Sequence, residues 1–274
     1  MINSIFSNLK KGDFPSWLPD RIHYLTQMGS HAYGVAGPDS DLDIYGFAIP
    51  GMDVVFPHTA GNIQDFDKPV RFEQWQSHHI EYPDTNGETN ELDISVYGIV
   101  KYFTLLMGNN PNIIDSIYTP QRCVYFESEV AKHLRSKRDI FLHKGSWHTF
   151  KGYAYSQLRK TTQKVESEKR LALIDRFGFD VKKGYHLVRL MREAEQILKD
   201  HTLVLDANVS ELKDIREGRV SWDEINKLFL SEEIRLEGLY KSSKLRHSPD
   251  MVAVKKLLIE CLEIEFGSLK GILG

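Results

Sequence analysis

Apolar residues gather in short runs near the N-terminus and recur at helical spacing further on, so the chain changes from strand-like to helix-like patterning. Arg21 to Met28 (Arg-Ile-His-Tyr-Leu-Thr-Gln-Met) reads as a buried strand ending at Gly29. His31 to Gly34 predicts a short helical turn, and Gly37-Pro38-Asp39-Ser40 a loop. Leu42 to Ile49 predicts a second strand, stopped by Pro50-Gly51. Residues 51–69, with Pro57, Gly61 and Pro69, predict an irregular insertion. Val70 to Tyr82 and Glu91 to Val96 predict two more strands, joined by the turn-rich Pro83-Asp84-Thr85-Asn86-Gly87.

Val96 to Met107 is apolar at helical spacing and stops at Gly108, a natural helix end. Asn110-Pro111 then opens a further helix, with Asn as cap and Pro at its first position. Helix periodicity continues near 126–138, 146–166, 182–199, 210–217, 221–229 and 250–265, and Ser221-Trp222-Asp223-Glu224 has capping-box spacing. The pattern predicts an α+β protein: a small mixed β-sheet with flanking helices, followed by an all-helical C-terminal domain. The boundary falls between 120 and 145, which divides the chain into 1–140 and 141–274.

At 274 residues, 41% apolar and 27% charged, the composition is that of a soluble globular protein with a full-sized core. No apolar run approaches the ~20 residues of a membrane span, and Met1 to Lys11 lacks a secretory signal pattern. The only cysteines, Cys123 and Cys261, have no metal-ligand spacing, which predicts free thiols and a cytoplasmic protein. The net charge of −3 conceals an asymmetry: residues 1–131 sum to −10 and residues 132–200 to +9. An acidic part beside a basic one suits a metal and polyphosphate site between two domains, although solvated helix faces account for many lysines.

The candidate chemistry lies in Gly29-Ser30 and, ten residues on, Asp41-Leu42-Asp43 at the start of a strand. Alternation places Asp41 and Asp43 on one face, where two carboxylates can share hard divalent cations. A Gly-Ser turn nearby can present backbone N–H groups to a phosphate. A third carboxylate is needed, and Asp93, in Asn90-Glu91-Leu92-Asp93-Ile94-Ser95, is the first choice with Glu91 the second. Asp93 would then be the base for an acceptor hydroxyl.

This arrangement resembles the DNA polymerase β-like nucleotidyltransferase superfamily and, more narrowly, the RlaP group associated with RNA repair. The supporting stretches are Gly29 to Phe47, Glu91 to Tyr102, Gly108 to Ile117, Phe150 to Gln157 and Phe179 to Met191. The resemblance implies a nucleotidyltransferase domain over 1–140 and transfer of NMP from an NTP with release of pyrophosphate. It implies Mg²⁺ or Mn²⁺ on Asp41, Asp43 and Asp93, the triphosphate on Gly29 and Ser30, and RNA as acceptor. A small-molecule or protein acceptor is the alternative, as is a protein that binds nucleotide or RNA without chemistry.

The helical half offers a facing wall. Lys183 shares a helix side with Leu187, Leu190 and Ala194, and a lysine on an apolar face needs an anion or a rim. Lys183, His186 and Arg189, at helical spacing, are the candidate phosphate clamp. His148, Lys151, Tyr155 and Arg159 form a second stripe that reads as a solvated face or an RNA contact. His78-His79 reads as a surface-strand pair on opposite faces, and Asp115 as a first-turn carboxylate favouring the helix dipole.

Overall fold

The computed structural model describes residues 6, 9, 12–37, 40–56, 71–83, 89–161 and 168–267. Pro38, Asp39, residues 57–70, the 84–88 connection and residues 162–167 of the expected loop, insertion, hairpin and helix lie outside them. Five strands, β1 (Ile22–Gln27), β2 (Leu42–Ala48), β3 (Gln74–Pro83), β4 (Thr89–Gly98) and β5 (Val124–Glu127), form one sheet in the order β3-β4-β2-β1-β5. Among the described residues, only the β2–β4 pairing is parallel; the others are antiparallel. The expected mixed sheet with flanking helices and a helical C-terminal region is present.

Alternation gives the sheet two different faces. Leu42, Ile44 and Ala48 of β2 and Leu92, Ile94 and Val96 of β4 join Leu18, Leu25 and Trp75 in an apolar layer. The opposite face carries Asp43, Tyr45 and Phe47 beside Asp93, Ser95 and Tyr97, and its apolar end belongs to the larger core under the helices.

The helices are α1 (Gly29–Ala32), α2 (Met52–Val55), α3 (Ile99–Met107), α4 (Pro111–Tyr118), α5 (Glu129–Ser136), α6 (Ser146–Thr161), α7 (Glu168–Phe177), α8 (Val181–Asp200), α9 (Val209–Arg216), α10 (Trp222–Ser242) and α11 (Met251–Phe266). Local chemistry sets their starts. The Asn110 side chain accepts from the Ile113 N–H, Ser128 from Ala131, and Asp180 from Lys183. At Ser221 and Glu224 both halves of the capping box form. Several expectations change: 124–127 is a short edge strand ahead of α5, α10 continues to Ser242, α7 forms where no helix is expected, and α2 forms at the start of the expected irregular insertion.

One buried apolar cluster runs from Tyr24 and Phe47 through Trp147, Phe150 and Leu187 to Leu262, on both sides of residue 140. The last helix turns back onto the sheet side of the molecule. Glu260 of α11 meets His133 and Lys137, both at 2.8 Å, and Glu265 meets Arg21 at 2.9 Å. Cys123 and Cys261 are both free and buried. Among the described residues, no helix is long and apolar enough to cross a membrane.

Candidate active site

The parallel β2–β4 register aligns Asp43 with Asp93, so the two carboxylates stand side by side on the open end of one face. Asp41 precedes β2 by one residue. Burial, then Asp93, then Asp41, push the Asp43 carboxyl up to about 6, against the pull of Lys182 and His78. The three predicted carboxylates therefore share one electrostatic site. Among the described residues, no three His, Cys, Asp or Glu side chains are drawn together as a ready-made cation cage.

Gly29 starts α1 one residue after β1, and the intervening Met28 N–H bonds the Asp43 carbonyl at 2.7 Å. Its φ of +63° is a region that L side chains rarely adopt, and a Cβ there would lie 2.5 Å from Asp43 Oδ2. The turn thus passes against the carboxylate because it carries no side chain. Ser30 follows in the first turn of α1, where backbone N–H groups lack intrahelical acceptors.

Across from the carboxylates stands the start of α8. Lys182 Nζ lies 3.6 Å from Asp41 Oδ2, which brings this lysine to the acidic site beside the predicted Lys183. Asp180, held by Arg170 at 2.5 Å, caps the helix and fixes that first turn. Burial first, and then Arg189, Lys183, Lys182 and Arg216, hold His186 well below the ordinary histidine range. It is a neutral imidazole within a cationic wall. Arg216 of α9 donates to the Val35 carbonyl at 2.5 Å and lies over the Tyr185 ring, whose centroid is 4.1 Å from that of His186. Patterning singled out neither Lys182 nor Arg216: the first lies off the apolar stripe, and the second reaches the site through tertiary folding.

Arg189 corrects its expected place in the clamp. Its side chain is 6% exposed, and Nη1 pairs with Asp115, with the Tyr33 hydroxyl at 2.7 Å and with Glu193 at 2.9 Å. Tyr33 also donates to Asp115 Oδ2 at 2.6 Å. The guanidinium is used inside the protein, where it ties α8 to α4 and to the end of α1. Asp115 is correspondingly a buried partner of Arg189, beyond the first-turn dipole role expected for it.

The second basic stripe is partly covered by α10. Tyr155 donates to both Glu233 oxygens, at 2.9 and 2.8 Å, and Lys151 lies 3.4 Å from the same carboxylate. His148 packs edge-on against Tyr240. Lys151 and Tyr155 thus face the acids of α10, while His148 and Arg159 at the two ends of the stripe are exposed, so the solvated-face reading holds at the ends and not in the middle.

His78 and His79 depart from regular alternation as well. The β3–β4 register shifts between Ser77 and Ile80, and His79 has a φ of 55°. Its backbone N–H donates to Asp93 Oδ1 at 2.9 Å, while His78 Nδ1 lies 3.3 Å from Asp93 Oδ2.

A mixed sheet with paired aspartates on adjacent parallel strands, and a Gly-Ser turn against one of them, defines a polymerase β-like nucleotidyltransferase core. Residues 10–238 match RlaP, the RNA repair pathway DNA polymerase beta family, and the chain belongs to that family. No curated protein matches the chain. A solved nucleotidyltransferase-like protein from Exiguobacterium sibiricum 255-15 is similar over 90% of this chain and 71% of its own, at 11% identity and a TM-score of 0.29.

Proposed function

We propose that this protein is a metal-dependent nucleotidyltransferase that moves NMP from an NTP to a hydroxyl of RNA and releases pyrophosphate. The observation that carries the reading is the alignment of Asp43 with Asp93 across β2 and β4, with Gly29 against Asp43. The family's association with RNA repair supports RNA as the acceptor. Free buried thiols accord with work in the cytoplasm.

The carboxylates fit a divalent cation. Asp43 is pushed up to about 6 by burial and by Asp93 and Asp41, a crowding that a bound cation relieves. Oxygen-only donors suit Mg²⁺ or Mn²⁺. Asp41, Asp43 and Asp93 would hold the ions, which supply Lewis-acid activation of the acceptor oxygen and neutralise charge on the transferring phosphate.

The chain's own groups do the rest. Backbone N–H groups at Gly29 and Ser30 bind triphosphate oxygens. Lys182, Lys183 and Arg216 complement its charge from the helical wall, and His186, kept neutral there, contributes hydrogen bonding. Asp93 accepts the proton of the acceptor hydroxyl. Arg189 acts at a distance, by holding α8 against α1 and α4.

The test is incubation with each α-labelled NTP and Mg²⁺ or Mn²⁺, offered RNA, protein and small-molecule acceptors in parallel. Label should enter RNA and be lost in the Asp41→Asn, Asp43→Asn double variant. Transfer that survives the double variant refutes the metal-carboxylate reading. Label on protein or a small acceptor alone keeps the transfer and refutes RNA.

A further inference from the structure

We propose that the bulge in β3 at His78 and His79 is a positioning device that fixes the Asp93 carboxylate for the transfer reaction. The inference rests on the role given to Asp93 above. Ser77 pairs with Ile94 and Ile80 with Leu92, so two residues of β3 stand opposite the single residue Asp93. That is the geometry of a β-bulge, which favours sheet edges and the neighbourhood of active sites. In a regular strand the two histidines would point to opposite faces. Here the extra residue brings a group from each onto the same carboxylate.

The two contacts differ in kind. His79 gives its backbone N–H to Asp93 Oδ1 at 2.9 Å, a bond available only because the bulge takes that N–H out of the ladder. His78 brings Nδ1 to 3.3 Å from Oδ2. Each Asp93 oxygen thus has its own partner on β3, the strand on the side away from Asp43. The carboxylate torsion of aspartate is otherwise broad, and 40% of this side chain is exposed. Two separate anchors define its plane. A carboxylate offers about four lone-pair sites, so acceptor capacity remains for a cation and for a proton.

His79 also shows why the bulge is held in an unusual conformation. A φ of 55° is uncommon outside glycine. The residue keeps a side chain there, and its ring Nδ1 lies 3.4 Å from Glu91 Oε2, two positions before Asp93 on the same face. The bulge is therefore attached to β4 at both acidic positions, 91 and 93.

The experiment measures Mn²⁺ binding by electron paramagnetic resonance without NTP, together with kcat and KM for transfer, on the full chain. His78→Ala and His79→Pro should each lower Mn²⁺ affinity or kcat by about 10- to 100-fold, the usual scale for partners of metal-binding carboxylates. KM for NTP should stay within about twofold, because the anchors do not touch the triphosphate side. His78→Asn should recover most of the His78→Ala loss, and His79→Gly, which keeps the N–H, should recover that of His79→Pro. Values within about twofold of wild type in both disruptive variants overturn the proposal. If His79→Pro does not fold, amide hydrogen exchange decides: the His79 N–H should lose at least about tenfold protection in Asp93→Ala, and unchanged protection overturns the proposal. Asp93→Asn separates the two levels. Normal transfer in Asp93→Asn removes the underlying role of Asp93. Lost transfer there with unaffected histidine variants removes the positioning role alone.

Discussion

Replacing Arg189 with methionine should destabilise the protein by an amount that grows steeply with pH. Arg189 is the cation at the centre of a buried group that contains Asp115, Glu193 and the Tyr33 hydroxyl. One guanidinium faces two carboxyls. Burial, and then the neighbouring Asp115, hold the Glu193 carboxyl well above the usual range despite the pull of Arg189. Asp115 is raised by burial, with Arg189 pulling it back down as the largest opposing influence. With one guanidinium for two buried carboxyls, charge balance favours one carboxylate and one protonated acid shared over the pair. In Arg189→Met the second carboxyl has lost its counter-charge and must also take up a proton to stay buried. The sign follows from linkage. A carboxyl raised above its unfolded value, near 4, gives stability that is fully present below that pH and lost as the pH climbs through the folded value. The variant holds about one more proton than the wild type, so its relative folding equilibrium should fall about tenfold per pH unit from about 5 to 7. Lost hydrogen bonds cost ~1–2 kcal/mol at pH 5. The two further pH units add ~3 kcal/mol, which reaches the ~3–5 kcal/mol of a broken buried pair. Urea unfolding followed by tryptophan fluorescence at pH 5, 6 and 7, wild type against variant, measures this difference. A penalty that does not change with pH would refute the reasoning, because it would mean that the carboxyls ionise freely without Arg189.

Gly29→Ala should fold with a loss of ~1–2 kcal/mol from the positive φ, yet lose ~100-fold in transfer, because the new Cβ falls 2.5 Å from Asp43 Oδ2 and displaces it; thermal unfolding and single-turnover kinetics check the two parts separately, and near-normal kinetics contradicts the contact. Asp43→Asn should stabilise the metal-free protein at pH 8 by on the order of 2 kcal/mol and abolish stabilisation by Mn²⁺. The Asp43 carboxyl is raised to about 6, so the stability it contributes is fully present below about 4, the unfolded value, and is lost as the pH rises through 6. A melting temperature for Asp43→Asn at or below that of metal-free wild type at pH 8 contradicts this.

What the sequence disclosed was what neighbours along the chain decide. Strand alternation in Leu42 to Ala48 and Leu92 to Val96 marks both faces of the central strands, and the caps at Asn110 and Ser221 act within three residues. β5 escaped notice because four residues, Val124–Glu127, become a strand only by pairing with the edge of β1, while the following helix makes the segment read as helical. The far half of α10 was hard to read for a related reason. Its Glu233 and Glu237 are polar residues turned toward α6, where they meet Lys151, Tyr155 and Trp147, so the apolar period weakens where the helix is still packed.

The candidate site divides along the same line. Asp41-Leu42-Asp43 is a local spacing, and Asp93 followed from chemistry that needs a third carboxylate; the parallel register then supplies the neighbour relation that sequence spacing cannot. The cations behaved differently, because a positive side chain is defined by its partner and that partner is distant. Arg189 satisfies Asp115, 74 residues away, and Lys182 meets Asp41 across the molecule. Helical periodicity ranks such residues by the face they occupy, which is why it favoured Lys183 and Arg189 over Lys182 and Arg216. At His78 and His79 the same limitation takes another form. Alternation presumes one residue per step on each strand, and a single inserted residue turns an unremarkable histidine pair toward Asp93. A bulge leaves no periodic signal, yet it changes which groups can hold a carboxylate; local pattern therefore located the acids of this site, while the groups that set their charge and orientation depend on pairings made only in the fold.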